Sequence, residues 1–79
     1  MPRFYFHYQD GAERRADPEG MVLPDAEAAW YQAVRSAREI VNRDLRTGVL
    51  RPGQRVEIAD EAGLQINAVP LDEVVGVAL

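Results

Sequence analysis

The sequence predicts an α+β fold: β-hairpin, one long helix, β-hairpin, arranged as a single antiparallel sheet of about four strands with the helix packed on one face. Three observations predict it. Residues 26–47 hold no Gly or Pro and repeat apolar residues at spacings of three and four. Arg3 to Gln9 alternates aromatic residues in the manner of a strand. Two turn sequences, Asp10-Gly11 and Asp60-Glu61-Ala62-Gly63, each separate a pair of strand-like runs. One sheet covered on one side by one helix is the simplest way to bury all of these apolar faces.

In chain order, the first strand carries Phe4, Phe6 and Tyr8 on one face and Tyr5, His7 and Gln9 on the other. Both faces are partly apolar, which suits an interior strand. The run from Ala12 to Ala16 returns after the Asp10-Gly11 turn; it is short and charged, as an edge should be. Asp17-Pro18-Glu19-Gly20 is a second turn. Met21-Val22-Leu23 then leads to the core and to the helix start at Pro24-Asp25.

Asp25 is placed as an N-cap, and Glu27 puts negative charge at the positive helix end. Ala26, Ala29, Trp30, Ala33, Val34, Ala37, Ile40, Val41 and Leu45 form the apolar face. Small alanines let the helix sit close to a sheet, and Trp30 is expected to add bulk to the core. Asp44 interrupts the apolar arc, so the last turn is expected to run past the sheet edge. Gly48 is suited to a left-handed C-terminal cap. Val49 and Leu50 are expected to anchor the connection that follows. Arg35–Glu39 and Glu39–Arg43 have the spacing of ion pairs one turn apart.

In the second hairpin, Val56 and Ile58 face one way and Arg55 and Glu57 the other. Leu64, Ile66 and Ala68 oppose Gln65, Asn67 and Val69, and Pro70 ends regular pairing. The chain is expected to be one domain over 1–79, with a compact core over 1–71. Residues 72–79 form either a loose tail or an extra element, a helical turn or a strand.

The 79 residues carry a net charge of −4, which disfavours nucleic acid. All nine basic residues are Arg, and six lie between Arg35 and Arg55 against only Glu39 and Asp44. Arg35, Arg38, Arg43 and Arg46 are therefore a candidate basic patch for an acidic partner. With no Cys, thiol catalysis, disulfides and Cys-based metal sites are excluded. No apolar run is long enough to span a membrane. The N-terminal strand lacks a signal-peptide pattern, so a cytoplasmic location is expected.

His7 is the single histidine, and no nucleophile or ligand spacing accompanies it. No Gly-rich phosphate loop exists. We therefore expect no catalytic residue, no cofactor and no metal. The remaining candidate is the sheet face without a helix, with Tyr5, His7, Gln9, Arg55, Gln65 and Asn67 as an interaction face for a protein partner or a second copy. The function expected is a small non-enzymatic interaction or regulatory module acting through its surface, with a homodimer among the forms it can take; the alternative is nucleic-acid binding through the Arg35–Arg55 segment.

The opening Met1-Pro2-Arg3-Phe4-Tyr5-Phe6-His7, the Asp10-Gly11 turn, Asp17 with Glu19-Gly20, and Leu23-Pro24-Asp25 with Glu27-Ala28-Ala29 form a recognisable order. With Val56-Glu57-Ile58, Asp60-Glu61 and Gly63, the chain resembles a family of short bacterial domains of uncharacterised function. That family is found mostly in alphaproteobacteria such as rhizobia. The resemblance runs from Met1 to about Leu71 and implies no catalytic residues. Trp30 and Tyr31 stand where the family carries smaller or more polar residues, and the tail after Leu71 also departs from it.

Overall fold

The computed structural model describes residues 1–47 and 51–78. Its elements are β1 (Arg3–Asp10), β2 (Glu13–Arg15), β3 (Met21–Val22), α1 (Ala26–Thr47), β4 (Arg55–Ala59), β5 (Gln65–Pro70) and α2 (Leu71–Ala78). The strands form one antiparallel sheet in the order β2-β1-β4-β5, with β3 also paired to β1. The α+β fold with its long helix is as expected, and β1 is interior. The sheet has five strands rather than four because Met21 and Val22 pair with Phe4 and Arg3. Both side chains stay exposed, and only Leu23 after them packs on the core.

The helix begins where its cap dictates. Asp25 Oδ1 accepts the Ala28 N–H at 2.9 Å. Ala29, Ala33 and Ala37 are wholly buried, so the alanine side of α1 does lie on the sheet. Phe4, Val56, Ile58 and Val69 form the other half of the core, with Phe6 and Tyr8 at its margin. Neither of the two expected ion pairs along α1, Arg35–Glu39 and Glu39–Arg43, appears among the ion pairs of the described residues; Arg43 meets its neighbour Asp44 instead, at 3.4 Å. The expectations for Gly48, Val49 and Leu50 lie outside the described residues.

Residues 71–78 are helical, which decides between the alternatives for the tail. Leu71 and Val74 are core residues, and α2 packs beside α1. Gln54 ties these parts together. Its Nε2 donates to Tyr8 Oη (2.7 Å) and Asp44 Oδ2 (3.0 Å), its Oε1 accepts the Arg51 N–H (2.6 Å), and its backbone carbonyl accepts the Leu71 N–H (3.0 Å). Asp44 thus has a structural reason to stand on the apolar arc: it receives a part-buried hydrogen bond that joins α1 to the sheet.

Two turns fix the strand ends. Asp60 Oδ1 accepts the Ala62 and Leu64 N–H groups, and Gly63 takes φ +85°, as the Gly position of this turn requires. Gly20 takes φ +69° while passing so close to β1 that a Cβ there would lie 2.8 Å from the Phe4 carbonyl oxygen.

β5 is turned over relative to expectation. Val69 opposes Val56 and is buried in the core, and Asn67 opposes Ile58. Leu64 and Ile66, expected beneath the helix with Ala68, are exposed. The register shift between Ile58 and Ala59 is the cause: it skips Ile66 and brings Gln65 opposite Ala59. A bulge of this kind breaks the two-residue alternation on which the expectation rested.

Candidate functional site

The sheet face away from α1 is built from β1, β2 and β4. Register places His7 beside Glu57 and Gln9 beside both Arg55 and Arg14. Tyr5 and His7, two residues apart on β1, stack with ring centroids 6.4 Å apart. These residues do share a face, as the alternation predicts. Asn67 does not join them, because it stands opposite Ile58 on the helix side. Gln65 pairs with Ala59, which in turn pairs with Tyr5, so it lies at the margin of that face.

Glu57 is the centre of this face and is only 4% exposed. Arg14 Nη1 donates to its Oε1 at 2.5 Å and Arg55 Nε to its Oε2 at 2.9 Å. Burial alone would raise its pKa. The two guanidinium hydrogen bonds and charges outweigh that and hold the carboxyl below the usual glutamate value. Gln9 donates to the Gly11 carbonyl at 2.7 Å. Gln9, Arg14, Arg55 and Glu57 on this face therefore have partners within the chain, and among the described residues no buried side-chain N or O lacks a hydrogen bond.

Asp17 closes the same region from the turn between β2 and β3. Its Oδ2 accepts the Phe6 N–H, and its Oδ1 accepts the N–H groups of Glu19 and Gly20, each at 3.2 Å. Burial would raise its pKa, but the three backbone donors, with His7 nearby, lower it. The Asp17 N–H donates to His7 Nδ1 at 2.9 Å, so this β1 histidine accepts a backbone hydrogen bond from the turn. Asp17 and Asp25 serve separate loops, as turn and cap. Among the described residues, no group of three His, Asp or Glu is placed to hold a metal ion, and no helix is long and apolar enough to cross a membrane.

The basic segment divides in three dimensions. Arg51 Nη2 meets Asp10 Oδ2 at 2.6 Å, Arg55 meets Glu57, and Arg43 meets Asp44. Arg35, Arg38 and Arg46 are exposed on α1. Arg35 and Arg38 line one concavity together.

That concavity is a groove of about 880 Å³ between α1 and α2. Trp30, Tyr31 and Val34 line it from α1, Val69 from β5, and Val74 from α2. Arg35 and Arg38 stand on the α1 wall and Glu73 on the α2 wall. Trp30 is 40% exposed and Tyr31 62% exposed, their rings meeting edge to face at 5.2 Å. Trp30 was expected in the core. It lies at the margin of an apolar arc that is wider than the sheet beneath it, and its ring faces the groove instead. Sequence reasoning placed every one of these α1 residues on a helix but missed the groove, because its second wall is an element the sequence left undecided. The one available signal was the adjacent Trp30-Tyr31 pair, since neighbours on a helix cannot both point into a narrow core.

Fold and site together define a small α+β domain with an open antiparallel sheet and an amphipathic groove. The chain belongs to the family described as a domain of unknown function (DUF6894), whose model matches residues 3–72. No curated protein and no solved structure gives a significant match.

Proposed function

We propose that this chain is a non-enzymatic interaction module that works by surface contact, and that the groove between α1 and α2 is the contact surface. One observation carries this reading. Trp30, Tyr31, Arg35 and Arg38 stand exposed around an apolar cleft, and Trp, Tyr and Arg are the residue types that most often dominate binding energy. The face centred on Glu57 supports the reading by contrast, since its charged groups Arg14, Arg55 and Glu57 already pair with one another. A protein partner or a second copy, with no cofactor or metal, belongs to this proposal. So do a cytoplasmic location and the alphaproteobacterial origin that the opening residues suggest.

Nucleic acid is the less favoured partner. Three of the six arginines between residues 35 and 55 meet carboxylates of the chain itself, which weakens the basic footprint such binding requires. The test is site-specific photo-crosslinking in the native host, with the reactive group placed at Tyr31 or, as the control, at Tyr5. Protein adducts, to another chain or to the same one, are expected from Tyr31, and they should fade when Trp30 is also changed to Ala. Adducts only from Tyr5, or adducts to nucleic acid that vanish with salt, would overturn the assignment.

A further inference from the structure

We propose that a second copy of this chain docks on the open edge of β5 and the groove beside it, continuing the sheet across a two-fold axis. The inference rests on the interaction-module reading and names the partner. The two ends of the sheet differ in kind. β2 is three residues long, and all three, Glu13, Arg14 and Arg15, are charged. A short charged strand is how proteins protect an edge from pairing. β5, Gln65 to Pro70, carries no charge; the bulge at Ile66 and Pro70, which has no N–H, limit its open edge to a short stretch around Ala68. Ile66 within it is 39% exposed, and among the described residues no strand pairs with its outer side.

The backbone of β5 is poised for such pairing. Ala68 stands opposite Glu57 of β4, yet its N–H goes to Asn67 Oδ1 at 2.8 Å. That N–H therefore points away from β4, towards the open side. Its acceptor is an exposed neighbouring side chain, which an incoming carbonyl can replace.

Charge selects a second copy over other occupants. In a two-fold contact the same patch meets itself, so residue i touches j and j touches i. Antiparallel pairing of β5 with its own copy sets no like charges across the strands, because β5 has none. The groove alongside carries Arg35 and Arg38 on its α1 wall and Glu73 on its α2 wall. The axis exchanges the walls and sets the arginines of one copy towards Glu73 of the other. An acidic partner would meet Glu73 and a basic partner would meet the arginines; a copy of this chain matches both.

Sedimentation equilibrium of the full chain at high concentration tests the proposal. The wild type should give a dimer mass. Ala68→Pro should give a monomer with unchanged circular dichroism, because the lost N–H takes no part in the β4–β5 ladder. Arg35→Glu and Glu73→Arg should each weaken the dimer by about fivefold, and the two together should restore it. Tyr5→Ala, on the other face of the sheet, should leave the mass unchanged. The proposal is overturned by a monomeric wild type, by a dimer that Tyr5→Ala breaks, or by a charge exchange that fails to restore association. A monomer that still crosslinks at Tyr31 to another protein gives the groove to a different occupant and leaves the module reading standing. A monomer with no adduct removes both.

Discussion

Glu57 and Trp30 occupy each other's customary environments. The carboxylate is 4% exposed and the indole 40% exposed. Glu57 lies on a sheet face with no layer above it, covered by the side chains that bind it, Arg14 and Arg55. Trp30 lies on a helix whose inner side is fully occupied by Ala29, Ala33 and Ala37, each 0% exposed. The contrast separates two ways of completing a small fold. One region answers its polar groups internally, which contributes to stability and leaves little for a partner. The other leaves apolar surface in water, which contributes little to the isolated domain and becomes valuable only when something covers it.

The comparison predicts its largest effect at the network. Glu57→Ala leaves Arg14 and Arg55 facing each other without the carboxylate between them. Both arginines are about half exposed, so water recovers part of the loss and the cost falls to about 2 kcal/mol. Urea unfolding checks this; a change below a few tenths of a kcal/mol would mean that the network is ornamental. The same group sets an acid limit. Its pKa is lowered in the fold, so its stabilisation is complete above the unfolded value, near pH 4, and is lost as pH falls through the lower folded value. The wild type should therefore lose urea resistance between pH 5 and the acid limit more steeply than Glu57→Gln.

Asp17 tests the same region from its loop and should give a smaller effect. Asp17→Ala removes the acceptor of three backbone N–H groups, those of Phe6, Glu19 and Gly20. The Glu19 bond is exposed, so water can replace the carboxylate there, while those of Phe6 and Gly20 are part-buried, and the expected cost is about 1.5 kcal/mol. Its acid sensitivity has the same sign as that of Glu57, because its pKa is also lowered in the fold. Hydrogen exchange at Phe6 gives the sharper reading. Its amide should lose protection in Asp17→Ala, while Ile58 in the neighbouring strand keeps most of its own.

Much of the fold could be read from local chemistry. Asp25 caps the helix where its type and place suggest, and the alanines recur at a spacing that buries them together. What stayed hidden depends on contacts that no local pattern encodes. Arg14 and Glu57 are 43 positions apart and meet only because β1 brings β2 and β4 to its two sides. The inversion of β5 has a different origin. Leu64, Ile66 and Ala68 are as apolar as Val69, so alternation cannot decide which set is buried once a bulge intervenes. The groove required α2, and the sequence of residues 71–79 fits a helical turn or a strand alike.

Trp30 should show the smallest stability effect, and that smallness is the point. Replacing a core tryptophan by alanine costs about 3–5 kcal/mol, because packed neighbours cannot collapse into the space. Trp30 is bounded on one side by solvent and touches Tyr31 by an edge. Trp30→Ala should therefore cost less than about 1 kcal/mol in the isolated chain, within the range of surface substitutions. If it instead costs as much as Glu57→Ala, the indole is structural, and the contrast between the two regions fails at its apolar end. A small cost in stability joined to a large loss of association would locate the role of the indole in binding, since a side chain that the fold can do without has then been kept where a partner needs it.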